Sequence, residues 1–169
     1  MKTLTISALL FLSTFNAFAF ESGKYISTDY NDELSPFYKS VSLDSSKCKN
    51  GGAIVSFNQA SPFNLCHGNV EESVHEYKEC VGKEVGSFPL PKVCVGVKKT
   101  IRSVTTKSAV LNKAENALIY SIETHNNDEL IFEEEYRLIN LGNNKLKVQH
   151  GFRDHRDGRH GLTEVHYKK

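Results

Sequence analysis

Residues 117–152, ALIYSIETHNNDELIFEEEYRLINLGNNKLKVQHGF, decide the fold of this chain. Apolar side chains alternate with polar ones along three successive segments, 118–124, 130–139 and 145–152. A period of two predicts strands that bury one face and leave the other face in water. The turns between these segments are short and polar, so we expect each strand to pair antiparallel with the next.

Segments on both sides of this stretch continue the strand pattern. They are 23–28, 37–43, 53–57, 93–97, 100–111 and 162–167. About eight strands joined mostly by short turns predict a mainly β domain, either a small up-and-down, lipocalin-like barrel or a two-sheet sandwich. Gly23-Lys24-Tyr25 shares only its glycine with the G-x-W opening of lipocalins. No family is therefore identified.

One segment has a helical period. Asn69 and Glu72 fit a capping box, and Gly82 fits the position after a helix end. Apolar residues between them recur at i, i+4, i+7 and i+11: Val70, Val74, Tyr77 and Val81. The spacing predicts a single helix over 70–81, packed on the sheet.

The N-terminus has the pattern of a secretory signal peptide. Lys2 is followed by an apolar stretch, and Ala17-Phe18-Ala19 provides a small-x-small cleavage signal. We expect residues 1–19 to be removed and residues 20–169 to form a single exported domain, periplasmic or secreted. No second apolar stretch follows, so we expect no membrane span after leader removal.

All four cysteines follow the predicted cleavage site: Cys48, Cys66, Cys80 and Cys94. An even number of cysteines in an exported chain predicts two disulfides, for which three pairings are possible. Proximity along the chain favours Cys48–Cys66 and Cys80–Cys94. A zinc site is the less favoured alternative, because no pair has C-x-x-C spacing.

Charge and motifs exclude several classes of function. The chain has 21 lysines and arginines against 20 aspartates and glutamates, and Lys2 falls in the predicted leader. A balanced mature chain gives no electrostatic reason to expect a nucleic-acid partner. Nucleophile-elbow, Walker and dinucleotide-binding motifs are missing, so we assign no catalytic residues and expect no cofactor. A triad of residues scattered along the chain remains an alternative.

Glu134 is the polar residue that the strand pattern places inside. Alternation puts it on the inward face between Phe132 and Tyr136, and Tyr120 shares that face on the preceding strand. A buried carboxylate needs a partner, which a ligand's polar group would supply. We therefore take Tyr120, Phe132, Glu134 and Tyr136 as candidate ligand-binding residues. The alternatives are a β-bulge or strand end that brings Glu134 to solvent, and neutralisation of Glu134 by an inward Arg102, Lys107 or His150.

The histidines near the C-terminus are candidate metal ligands. His150, His155 and His160 lie close in sequence among aspartates, and imidazole with carboxylate suits zinc, copper or nickel. The alternative is a solvated hairpin tip that turns at Asp157-Gly158.

Three functions follow as hypotheses. The first is an exported, non-enzymatic protein that binds a small apolar molecule inside a barrel. The second is a rigid scaffold that binds another exported protein through loops, as an inhibitor or envelope component, with candidate surfaces at 58–68, 87–91 and 153–161. The third is a hydrolase or metalloenzyme with a non-local site of histidines and a carboxylate.

Overall fold

The computed structural model describes residues 20–31, 34–58, 60–86 and 93–169. Ten antiparallel strands form one sheet. They are β1 (Gly23–Ser27), β2 (Ser40–Asp44), β3 (Gly52–Phe57), β4 (Phe63–Cys66), β5 (Val70–Val85), β6 (Val93–Asn112), β7 (Ala117–Asn126), β8 (Glu129–Gly142), β9 (Lys145–Asp154) and β10 (His160–Lys168). Two short 3-10 turns, Pro36–Lys39 and Ser45–Lys47, flank β2. The predicted leader, 1–19, and the predicted contact loop, 87–91, lie outside the described residues.

The strand order is that of a meander. It runs β4-β3-β2-β1-β10-β9-β8-β7-β6-β5, so β1 pairs with the last strand and every other pair is sequential. The prediction of a mainly β, antiparallel chain is confirmed. The sheet is not a closed barrel, because β4 and β5 remain its two edges. The chain passes between these edges at residues 67–69, where the Gly68 amide donates to the Ala109 carbonyl on β6 at 2.9 Å.

The open sheet nevertheless curls until its two ends share one core. The ring of Phe57 on β3 lies 5.8 Å from that of Tyr136 on β8, and the ring of Phe63 on β4 lies 5.7 Å from that of Tyr120 on β7. The most deeply buried side chains come from both ends of the sheet: Val41, Val55, Phe57, Leu65, Leu118, Leu138, Leu146, Val148, Val165 and Tyr167. Alternating residues of each strand therefore fill a single apolar interior.

The turns of the meander have the residues that their geometry requires. Asn127 and Asp128 join β7 to β8 with φ values of 49° and 70°, and Asn143 and Asn144 join β8 to β9 with φ values of 51° and 59°. Tight hairpin turns need positive φ at both central positions, and asparagine and aspartate tolerate it better than most residues. These polar turns were correctly expected from the sequence.

The prediction of a helix over 70–81 is wrong. The segment is part of β5, which pairs residue by residue with β6 from Val70 opposite Ser108 to Val85 opposite Val93. The Asn69 side chain donates to the Asn64 carbonyl and to Glu71 instead of capping a helix. The apolar spacing fits a helix, but valine has a low helix propensity and a high strand propensity. Pairing with β6, a strand rich in β-branched residues, therefore outweighs the helical spacing.

The sequence also misplaces the start of β2. Residues 37–39 of the predicted strand 37–43 belong to the 3-10 turn Pro36–Lys39, where Ser35 accepts a hydrogen bond from the Phe37 amide. The predicted contact loop 58–68 contains β4, whose Leu65 is buried in the core. Within the described residues, no helix is long and apolar enough to cross a membrane.

The outer part of the β5–β6 hairpin projects from the sheet. Pairing of β6 with β7 reaches only to Ser103 opposite Asn126, so residues 93–102 pair with β5 alone. We call residues 76–85 and 93–102 the arm. In the described part of the chain, the arm consists of these two strands, and no second layer of strands covers its faces.

The arm bends at a pair of glycines. Gly82 lies opposite Gly96, and a Cβ atom on either would lie 2.5 Å or 2.6 Å from a carbonyl oxygen of the other strand. Cys80 lies opposite Lys98, four residues from Cys94. A straight ladder would therefore separate the two cysteines by about 13 Å. Their Cα atoms are 5.6 Å apart and a disulfide joins them, so the ladder folds back at the glycines.

A second disulfide joins Cys48 to Cys66, with 5.1 Å between the Cα atoms. It connects the residue that follows the 3-10 turn Ser45–Lys47 to the end of β4. Both disulfides pair sequential cysteines, as proximity along the chain favours, and they indicate an oxidising compartment.

Candidate functional site

A polar cluster lies inside the core, where β8 and β9 run side by side. His150 Nε2 lies 2.7 Å from Glu134 Oε1, and the Tyr136 hydroxyl donates to the same oxygen at 2.8 Å. The other imidazole nitrogen, Nδ1, is hydrogen-bonded to the Tyr38 hydroxyl. The Tyr136 and His150 rings stack with centroids 4.2 Å apart. We call Tyr38, Glu134, Tyr136 and His150 the core cluster.

Hydrogen bonding in the core cluster favours an ionised Glu134. The bond with His150, followed by that from Tyr136, lowers the pKa of Glu134, against the opposing effect of burial. Burial, reinforced by donation to Glu134, raises the pKa of Tyr136. Burial likewise raises the pKa of Tyr38. Glu134 is therefore a partnered internal carboxylate, and the structure places its partners inside the protein.

The core cluster has the order of a hydrogen-bonded relay, Tyr38–His150–Glu134. A hydroxyl, an imidazole and a carboxylate in that order are the parts of a general-base site. Such chemistry needs a substrate next to the hydroxyl, but Tyr38 is only 8% exposed and packs against Phe37 and Phe57. The geometry fits a polar element that fixes the packing of β8, β9 and the turn Pro36–Lys39.

Three of the four candidate ligand-binding residues come together. Tyr120 and Tyr136 are buried with ring centroids 6.5 Å apart, and Glu134 bonds Tyr136. Phe132 lies farther along β8, opposite Asp154, and is half-buried. Rings from both ends of the sheet pack against the tyrosines, so these side chains form part of the core.

A cavity of about 410 Å³ lies where the curled sheet fails to close. Phe63 and Tyr120 form its aromatic side, next to Ile122, while Glu71 and Lys107 contribute one charge of each sign. Its volume lies within the range of small-molecule sites, about 300–1,000 Å³. Burial, and then the charge of Glu71, raise the pKa of the Tyr120 hydroxyl.

Another cavity, of about 400 Å³, crosses the outer face of β7 to β10. Glu123, Glu133, Glu135, Arg153 and His160 are among its lining residues. Successive residues of a strand point to opposite faces, so the Glu133 side chain faces outward where that of Glu134 faces inward. Glu134 of the core cluster also lines this groove, so the two features adjoin at that residue.

The three candidate metal-binding histidines do not meet. His150 bonds Glu134 inside, His155 Nε2 lies 3.3 Å from Glu133 outside, and His160 Nδ1 lies 3.2 Å from the Gly158 carbonyl. No group of three histidine, cysteine, aspartate or glutamate side chains suited to a metal ion occurs in the described residues.

The segment 153–161 forms the turn between β9 and β10. Asp154 is buried there beneath Arg156, whose Nη2 lies 2.6 Å from its Oδ2. The hydrogen bonds from Arg156 lower the pKa of Asp154 to about 2. This carboxylate therefore holds the turn through a charge-assisted contact.

One face of the arm carries five exposed valines, with Lys83 among them opposite Val95. Val81 lies opposite Val97, Val85 lies opposite Val93, and Val95 shares their side by alternation. Each of the five is at least half exposed, and Val97 is 72% exposed. Ala109, on the same face farther along β6, is buried in the core. The face that lines the core therefore continues outward along the arm, and we call these five valines the valine face.

Two of these features, the valine face and the position of Tyr38 in the core cluster, are not predicted by the sequence. The valine face was hidden by the helical interpretation of 70–81, although the alternation Val93, Val95, Val97 was a usable signal. Tyr38 carried no signal, because its partner His150 is 112 residues away in the chain.

Comparisons with known proteins give no match. No protein-family model, no curated protein and no solved structure matches the chain.

Proposed function

We propose that the protein is an exported, disulfide-stabilised, non-enzymatic binding protein that contacts another protein through the arm. The observation that carries this proposal is the valine face, which is exposed on both strands of the arm. A contiguous exposed apolar surface on a soluble domain marks an interaction site. Covering the exposed part of these valines, which are 50–72% exposed, removes apolar surface from water and so favours a contact.

The shape of the arm supports the same role. The close-packed glycines Gly82 and Gly96 set the bend, and the Cys80–Cys94 disulfide spans it on the face opposite the valines. A surface fixed before binding loses less conformational entropy on association. The arm therefore presents the valine face as a preformed convex surface.

Export is the second part of the proposal. Two disulfides fit an oxidising compartment, and the leader pattern of 1–19 places the mature start at Phe20. Phe20 is 3% exposed and belongs to the hydrophobic core. A domain that starts at this residue would have its N-terminus anchored by burial.

The test compares two variants of the tagged protein expressed in its own source. Val81→Ser with Val97→Ser removes the inner valine pair of the valine face, and Leu162→Ser is the matched control, since Leu162 is 77% exposed on β10. We expect the wild type and the control to retain one envelope or secreted protein that the double variant loses. Binding must then be reproduced with the two purified proteins. Equal retention by all three forms would exclude the valine face as the contact.

A second candidate function is favoured by the cavity at the open seam. Its aromatic wall and Lys107 suit a small molecule with an apolar body and an anionic group. An anionic naphthalene-sulfonate dye is a suitable probe. We expect Lys107→Gln to weaken dye binding while Val81→Ser with Val97→Ser leaves it unchanged. The reverse pattern would place the dye on the arm and exclude the seam.

A further inference from the structure

Strand β5 is a long edge of the sheet. It spans 16 residues and pairs on one side with β6, and no other strand of the described chain pairs with it. An exposed edge presents a row of backbone donors and acceptors, which is a template for another strand. The side chains on this edge decide which strand fits.

We propose that two copies of this chain pair antiparallel along β5, with Tyr77 opposite Tyr77 on the two-fold axis. This inference rests on the proposed function, because it names the partner of the same arm. Around this axis Glu76 faces Lys78 of the other copy, and His75 faces Glu79 of the other copy. Each contact occurs twice by symmetry, which gives four complementary pairs along one ladder.

Neighbouring registers lack this complementarity. Residues that face each other in an antiparallel pair point to the same side of the sheet. The two-fold axis can therefore move along β5 only from one residue to another, so that a residue always faces itself. Moving the axis to Glu76 places Glu76 opposite itself, and moving it to Lys78 places Lys78 opposite itself. Like charges directly opposite each other destabilise a sheet. Among these three registers, the charge pattern favours the one with its axis at Tyr77.

The bend of the arm limits the ladder. Residues 73–81 run from three residues before the arm to the residue before Gly82, a length of roughly 30 Å. Tyr77 is 46% exposed and Val81 is 57% exposed, and both lie on the same face. Pairing along β5 would place the two valine faces on one side of the joined sheet, on either side of the Tyr77 pair.

The first test is covalent and uses the full, disulfide-intact chain. Tyr77→Cys places two thiols opposite each other across the proposed axis, at a separation that a disulfide spans. In Ser73→Cys, the matched control, the new thiol faces Val81 of the other copy. We expect a cross-linked dimer of twice the chain mass from the first variant and none from the second, with both native disulfides kept. Equal cross-linking, or none from either variant, would overturn the register.

The second test uses charge reversal, read by sedimentation velocity over a range of concentrations. Lys78→Glu places a glutamate opposite Glu76, and we expect at least tenfold weaker association. Adding Glu76→Lys restores the complementary pair and should restore association. Lys145→Glu, on β9 away from the arm, should have no effect.

The outcomes separate this inference from the proposed function. In one outcome the chain is monomeric, and the Val81→Ser, Val97→Ser variant no longer retains another protein that the wild type binds. This outcome would overturn the self-pairing and would support the proposed function. A dimer whose affinity does not change with the charge reversals would overturn the β5 contact. A dimer that Lys78→Glu breaks and Glu76→Lys restores supports it.

Discussion

His150 Nε2 and Glu134 Oε1 lie 2.7 Å apart and half-buried, beside the apolar core of the sheet. The contact joins adjacent strands, and Tyr136 satisfies the same carboxylate oxygen. The Glu134 side chain is 21% exposed, and a half-buried carboxylate with two partners destabilises the fold when one of them is removed.

We expect the Glu134 contact to make the protein less stable in acid. The folded state lowers the pKa of Glu134 below its ordinary value of 4.5, chiefly through the bond with His150. The resulting stabilisation is complete above that value and disappears as the pH falls through the lowered pKa. Glu134→Gln should lower the free energy of unfolding at pH 7 by about 1–3 kcal/mol.

Chemical denaturation from pH 3 to pH 7 checks this expectation. Other carboxylates with lowered pKa values, such as Asp29 and Asp154, contribute to the pH dependence of both proteins. The informative quantity is therefore the difference between the wild type and Glu134→Gln, which should shrink below pH 4.5. A difference that does not change with pH would show that Glu134 is already protonated when folded.

The packed interior gives a second prediction. Leu138 is fully buried on β8, so Leu138→Ala should destabilise the protein by about 2–5 kcal/mol through the cavity it creates. Leu162→Ala is the control, since Leu162 is exposed, and it should change stability by no more than about 0.5 kcal/mol. Urea unfolding midpoints measure both. Similar effects of the two substitutions would contradict the assigned core.

The two disulfides should have different effects. Cys48–Cys66 connects the end of β4 to the turn after β2, next to buried Leu65, so Cys48→Ser with Cys66→Ser should lower global stability by roughly 3 kcal/mol. Cys80→Ser with Cys94→Ser should release the bend in the arm and leave the core stable. We expect limited proteolysis to cut the second variant faster within the arm, with little change in its unfolding midpoint. Loss of global stability in both variants would mean that the arm is part of the core.

The glycine pair should control the bend. Gly82→Ala and Gly96→Ala each place a Cβ against a carbonyl of the facing strand, so each should reduce formation of the Cys80–Cys94 disulfide on refolding. Gly151→Ala is the matched control, because its Cβ would come no closer than 3.8 Å to a neighbouring atom. Mass spectrometry after alkylation of free thiols measures the outcome. Full oxidation in all three variants would show that the bend does not depend on the glycines.

The sequence predicts the strands whose pattern is local. β7, β8 and β9 combine clear alternation with turn residues that tolerate positive φ, and the structure places them where these signals do. The predicted strands 93–97 and 100–111 join into β6, because Lys98 and Lys99 continue the ladder with β5 without a break.

Features that depend on distant partners could not be predicted in this way. The spacing of Val70, Val74, Tyr77 and Val81 fits a helix, and only pairing with β6 makes the segment a strand. The open seam of the sheet lies between the short strand β4 and β5, and neither the length of β4 nor the path of the chain to β5 has a local signal. The candidate ligand residue Glu134 is bonded by His150 and Tyr136, but the further partner of His150, Tyr38, lies in a turn that has no strand period.

Photo-cross-linking in the source cell tests the role of the arm most directly. A photoreactive side chain would replace Val97 on the valine face, and the same side chain at Leu162 would serve as the control. We expect irradiation to yield a discrete adduct from position 97, either a second copy of the chain or one other exported protein, and none from position 162. An arm that gives no adduct, or the same adducts as position 162, would contradict the assignment of the valine face as a binding surface.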